Sequence, residues 1–172
     1  FSDVYCDRRL DENVTNNKIL WGECIGGALY IEDFKRICNK YGFKEIREIE
    51  RSEIFVSDEK LKNIVGNARF YSITYNLFKI DSLETLCEDY GQYAIYKGTI
   101  PEESHYYILD NHHKFITNKP MLVCGNTADM LSKSWLSKHF IVHGNKLIHY
   151  GLFEDCKITV ENNNMNNSSK CC

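Results

Sequence analysis

No apolar run in this 172-residue chain approaches the roughly 18–20 residues of a membrane-spanning helix, and no secretory signal is visible. Charge of one sign is lacking too. The formal net charge of -3 is too small to gather nucleic acid or an anionic membrane, so neither is expected as a partner. There is no C-x-x-C pair, which weakens the zinc-ribbon and thioredoxin-type readings. G-x-G-x-x-G, P-loop and G-x-S-x-G motifs are missing, so the chain offers no dinucleotide loop, phosphate loop or nucleophile elbow of its own. No internal repeat is present. These absences leave a cytoplasmic protein with reduced thiols as the expectation.

What is present is enough to build a core: 43% of the residues are hydrophobic and 13% aromatic. "FSDVY" opens the chain as a strand already in progress, rich in residues that favour strands, so the chain reads as a fragment with a missing upstream part. A helix is expected from about Ala28, with Tyr30, Ile31, Phe34, Ile37, Cys38 and Tyr41 on one face and Gly42 as its stop. "KEIREIERSEIFV" reads as a partly exposed strand. "DEKLKNIV" reads as a short helix capped by Ser57 and stopped by Gly66. "ARFYSITYNLFKI", Ala68 to Ile80, is the strongest strand signal. This alternation is that of an α/β sheet. The second half changes to short strands, "QYAIYKGTI", "HYYILD", "HKFIT" and "MLVCG", a turn at "TNKP", and a helix over "TADMLSKSWLSKHF" capped by Thr127. "FIVHG" and "KLIHYGLF" close it. The final "ENNNMNNSSKCC" is too polar to order itself.

The 8 cysteines carry the chemistry that spacing can offer. Cys38 falls on the apolar helix face and reads as core filler. Cys24 has two readings. It is either one more small buried hydrophobe, or a functional thiol that stands before a helix, whose amide end would favour a thiolate, with Gly26-Gly27 letting a ligand come close. Cys87 sits in a charged loop, "LETLCEDYGQ", and reads as a non-core thiol able to converge with Cys24 on a soft ion; Cys124, before Gly125, is a third candidate; the other reading of both is an unpaired, partly buried thiol. His112-His113 reads as a surface pair whose rings point opposite ways along a strand. Asp7-Arg8-Arg9 reads as a solvated loop or a substrate clamp.

The words "SDVYCDRR", "LWGECIGGALY", "RFYSITYNLFK", "LCEDYGQYAIYKGTIP", "DNHHKF" and "GNTADML" resemble the C-terminal portion of arsenite methyltransferases, from about Ser2 to Cys156. The resemblance implies an α/β fold: the C-terminal part of a Rossmann-like class I methyltransferase sheet, followed by a small α+β domain. It sets residues 1–80 as the methyltransferase part, 81–158 as the C-terminal domain, and 159–172 as a disordered tail. It implies methyl transfer from S-adenosylmethionine to trivalent arsenic, as arsenic detoxification, with a thiol reductant such as glutathione or thioredoxin. It also implies that the cofactor loop lies upstream, that the fragment is inactive alone, and that no resident metal is required. Cys24 matches the arsenic ligand of the W-G-E-C motif, as both catalytic and arsenite-binding residue. Some relatives carry a further cysteine in the stretch matching Gly66 to Ser72, where this chain has none, so Cys87 is the nearest substitute as second arsenite ligand. Cys171-Cys172 resembles the tails of some relatives, either as a thiol carrier or as a dispensable end. The alternative is a non-catalytic thiol-based metalloid or zinc-binding module.

Overall fold

The computed structural model describes residues 1–154. The expected tail over 159–172 and the cysteines Cys156, Cys171 and Cys172 lie outside the described residues. The chain divides into two compact units, Phe1–Leu77 and Phe78–Cys172.

The first unit begins with β1 (Ser2–Cys6), followed by the short helices α1 (Glu12–Thr15) and α2 (Lys18–Gly22) and the two-residue β2 (Leu29–Tyr30). Then come α3 (Ile31–Lys40), β3 (Glu45–Ile54), α4 (Glu59–Val65) and β4 (Phe70–Phe78). Its sheet has the order β2-β1-β4-β3. β4 therefore inserts between β1 and β3 and runs antiparallel to β1, with Asp3 opposite Ile73 and Tyr5 opposite Tyr71. β1 and β2 make a short parallel contact at Tyr5 and Cys6. The unit is mixed α/β.

α3 forms because Ile31, Phe34 and Cys38 recur at helical spacing and are buried, while Glu32, Asp33 and Lys40 complement its dipole at the two ends. It starts three residues later than the sequence suggests, and Ile37 and Tyr41 are exposed rather than core. Its end is a Schellman motif: Phe43 N–H donates to the Cys38 carbonyl at 2.9 Å and Gly42 N–H to Asn39 at 3.0 Å, with Gly42 at φ 89°. α4 is capped by Asp58, not Ser57. The Asp58 carboxylate accepts from Lys60 and Leu61 N–H at 2.8 and 3.0 Å. Tyr5, Phe34 and Tyr75 pack ring against ring between sheet and α3. Burial pushes Tyr75 up to about 12.

The second unit holds β5 (Glu88–Asp89), β6 (Gln92–Tyr96), β7 (Tyr106–Ile108), β8 (Lys114–Ile116) and β9 (Pro120–Val123), followed by α5 (Gly125–Lys133) and a 3-10 turn over Trp135–Lys138. β10 (Phe140–His143) and β11 (Gly151–Leu152) complete it. An antiparallel sheet β10-β6-β9 is accompanied by the β7–β8 hairpin and the β5–β11 pair. Ala94, Tyr96, Leu109, Phe115, Met130, Leu131 and Leu136 make its core. Asn118 adopts φ 61° in the expected "TNKP" turn. The helix cap is Cys124 rather than Thr127, and α5 ends at Lys133, which leaves Trp135 in the 3-10 turn and 58% exposed.

Candidate functional site

Cys24 stands at the end of α2, not before a helix. Asn17 starts α2, its side chain accepting from Ile19 and Leu20 N–H at 3.0 and 3.1 Å. Five residues later the helix closes in a second Schellman motif. Ile25 N–H donates to the Leu20 carbonyl at 2.9 Å, and Cys24 N–H donates to the Trp21 carbonyl at 3.1 Å. Leu20 and Ile25, the hydrophobic pair that accompanies this motif, are both buried in one cluster. Cys24 therefore takes the left-handed position that glycine commonly fills, with φ 61°. The amide-end argument does not apply to it, since the adjoining terminus is the carbonyl end of α2 and α3 begins only at Ile31.

Gly26 and Gly27 serve the chain's own tryptophan. A β-carbon added at Gly26 would lie 2.9 Å from Cδ1 of Trp21, and one at Gly27 would lie 3.2 Å from Cζ3. The indole lies over the glycine pair and its Nε1–H donates to the Thr15 carbonyl, while much of the ring remains exposed. The turn carrying Cys24 is thus fixed from both sides, by backbone hydrogen bonds and by the ring.

Of the five described cysteines Cys24 alone is exposed. Cys6 and Cys38 are buried, and burial pushes both thiols up, away from the reactive thiolate. Cys87 lies in a loop before β5, as expected, but it is a buried residue and not a non-core one. It is 6% exposed, in a small cluster with Cys124 and Phe153. Cys24 belongs to the first unit, and Cys87 and Cys124 to the second.

The polar candidates find local partners. Asp7 binds Arg8 Nε at 2.8 Å and Arg69 N–H at 3.1 Å, while Arg9 makes a two-pronged pair with Asp33 at 2.6 and 2.8 Å. His113 is buried, against expectation. Its Nδ1 lies 2.8 and 2.9 Å from the two Asp110 oxygens, and Asp110 also accepts from the His112 and His113 amides at 2.8 Å. His112 stays exposed, because the pair sits in a turn before β8 and not in a strand. Sequence reasoning missed this Asp–His pair, though the i, i+3 spacing of an aspartate turn was its signal. Among the described residues no group of three His, Cys, Asp or Glu is placed to hold a metal ion. No helix among them is long and apolar enough to cross a membrane.

Comparison with known proteins follows from these residues. Residues 90–168 match the family model described as the arsenite methyltransferase C-terminal domain. An arsenite methyltransferase of Aquipseudomonas alcaligenes is 47% identical over 156 residues, covering 91% of this chain and 45% of that protein. The arsenite methyltransferase of Homo sapiens is 32% identical, covering 86% of this chain and 39% of that protein. Among solved structures, CrArsM, an arsenic(III) S-adenosylmethionine methyltransferase from Chlamydomonas reinhardtii, superposes with a TM-score of 0.79 at 56% identity. That match covers 89% of this chain and 51% of the other. The chain spans about half the length, or less, of the relatives it matches. Family model, relatives and solved structure agree: the chain carries a C-terminal portion of the arsenite methyltransferase family.

Proposed function

We propose that this chain is the arsenic-holding part of an S-adenosylmethionine-dependent arsenite methyltransferase, with Cys24 as the capture thiol and Cys87 as a second arsenite thiol. The observation that carries the reading is that the one exposed cysteine among the described residues occupies a backbone position where glycine would cost less. A left-handed conformation costs a residue with a β-carbon roughly 1–2 kcal/mol. Such strain is tolerated where the side chain has work to do. On this reading residues 1–80 are the closing part of a Rossmann-like methyltransferase sheet and residues 81–158 a small α+β domain. The alternation of β1, α3, β3, α4 and β4 around one sheet supports the first assignment.

The chemistry asked of these residues is simple. A thiolate displaces hydroxide or a carrier thiol from trivalent arsenic, and arsenic keeps its lone pair. Holding that lone pair in one direction and keeping water away needs no general base. S-adenosylmethionine supplies an electrophilic methyl group when bound. The described residues do not fit it: no glycine-rich strand-to-helix loop is present, and the one adjacent glycine pair is covered by Trp21. No step of methyl transfer is therefore assigned to them. A thiol reductant such as glutathione or thioredoxin, a cytoplasmic setting and arsenic detoxification complete the proposal.

The test is arsenite titration of the 172-residue chain and of its Cys24→Ser variant. The expected result is at least a tenfold loss of affinity in the variant; undiminished affinity overturns the assignment. The same chain, given S-adenosylmethionine and arsenite, should bind the metalloid and release no methylated product.

A further inference from the structure

We propose that Cys87 and Cys124 act together as a dithiol site for monosubstituted trivalent arsenicals, built into the second unit. The inference rests on the arsenic reading above and gives Cys87 a partner within its own unit.

Three features converge on this pair. First, the two sulfurs stand apart from the main hydrocarbon core: with Phe153 they form a separate buried cluster, Cys87 at 6%, Cys124 at 1% and Phe153 at 9% exposure. Both residues are thiols. Second, Cys124 caps the nine-residue helix α5. Its sulfur accepts from Thr127 N–H at 3.5 Å and lies 3.4 Å from the Thr127 hydroxyl. The Cys124 sulfur is thereby fixed at the first turn of α5. Third, the segment leading to Cys87 is clamped to the start of the same helix. The Asn126 carboxamide accepts from Glu84 N–H at 2.8 Å and donates to the Glu84 carbonyl at 2.8 Å. Gly125 permits that approach, since a β-carbon there would lie 2.9 Å from the Tyr90 ring. The two thiols thus share one small buried cluster, with the Asn126–Glu84 clamp holding the segment before Cys87 and the helix cap holding Cys124.

The cover over the pair is thin. Phe153 N–H donates to the Cys87 carbonyl at 2.9 Å and Tyr150 N–H to the Asp89 carbonyl at 2.8 Å, and β11 pairs with β5 at Gly151–Asp89 and Leu152–Glu88. Two residues of ladder are a small barrier to opening. The apolar Phe153 ring beside the sulfurs suits an arsenical that carries one carbon substituent. Binding forms two S–As bonds and breaks two As–O bonds. The two thiol protons leave with the two hydroxides as water, arsenic remains trivalent, and its third bond keeps the carbon group. No oxidant or reductant is needed.

Phenylarsine oxide, which closes on two thiols at once, is the probe. In the full chain carrying Cys24→Ser, Cys171→Ser and Cys172→Ser, one equivalent should still bind. Adding either Cys87→Ser or Cys124→Ser should weaken that binding at least tenfold, and by a similar factor. Binding that disappears with Cys24→Ser, or that survives Cys124→Ser, overturns the proposal. In the unsubstituted chain, one equivalent should protect Cys87 and Cys124 together from iodoacetamide, read by peptide mass spectrometry. Unchanged labelling of both overturns it as well, whatever the folding of the variants. A failure of Cys24→Ser to weaken arsenite would sink the capture role of Cys24 and leave these readouts standing.

Discussion

The two units handle sulfur in opposite ways. In the first, Cys24 follows the carbonyl end of a five-residue helix, exposed, on a backbone conformation that favours glycine. In the second, Cys124 caps the amide end of a nine-residue helix, buried, with Cys87 in the same cluster. One unit spends backbone strain to present a thiol. The other buries two, one of them as the cap of a helix. The difference separates two environments that the cysteine content alone cannot: a thiol open to solvent, and a pair kept away from water.

The strongest way to break the contrast is to release the turn beneath Cys24. Leu20 has no exposed surface and partners Ile25 across the Schellman motif. Leu20→Ala should cost about 2–5 kcal/mol, as buried leucine truncations do. Chemical denaturation would measure this. Alkylation kinetics would show whether Cys24 loses its distinct behaviour once α2 can fray. A loss under 1 kcal/mol would mean that the motif does not hold the turn.

A smaller and opposite effect sharpens it. Cys24→Gly removes the β-carbon that the left-handed backbone disfavours, so it should stabilise the chain by about 1 kcal/mol while abolishing arsenite capture. Thermal unfolding and arsenite titration read the two halves of that trade. The matching substitution at Cys124 has no strain to relieve, because its φ is -69°. A Cys24→Gly chain that is less stable would show that the thiol earns its place by packing.

Much of the first unit was legible because its signals are long. α3 announces itself through Ile31, Phe34 and Cys38, and β4 through a dense run of aromatic and β-branched residues with no exposed member. α2 was not legible: five residues supply barely one turn of apolar repeat, so Cys24 was assigned to the wrong end of the wrong helix. The glycines were read as room for a ligand because a covering side chain from Trp21 leaves no mark in local composition. Within the strand expected to be partly exposed, Arg47 is fully buried with its guanidinium 2.8 Å from Glu45, which no local pattern marks. Cys87 does lie in a loop, just before β5, but it is buried, which the charges of Glu84, Glu88 and Asp89 around it in sequence conceal. Its side chain turns inward while Leu86 is left 54% exposed. Cysteine is also an uncommon helix cap, so the rule that favours threonine chose Thr127 over Cys124. Strand order depends on pairings across the chain, which periodicity cannot report; the insertion of β4 between β1 and β3 is of that kind.

The smallest effect concerns the charge that ties β1 to β4 in the unit presenting Cys24. Hydrogen bonding from Arg8, opposed by burial and reinforced by Arg69 N–H, holds the Asp7 carboxyl down at about 2, below its ordinary 3.8. A carboxyl depressed on folding contributes stability that is present above its unfolded value and is lost as pH falls through its folded value. The loss should therefore develop between about pH 4 and pH 2. Because Arg8 is half exposed, screening limits the contribution to about 1 kcal/mol. Asp7→Asn keeps an oxygen for Arg69 N–H and removes the charge. It should lower stability slightly at neutral pH and flatten the acid limb by the same amount. Thermal unfolding of both chains from pH 2 to pH 7 tests this. Parallel curves would show that the ion pair adds nothing, leaving the neutral Asp7–Arg69 hydrogen bond as the tie between the two strands.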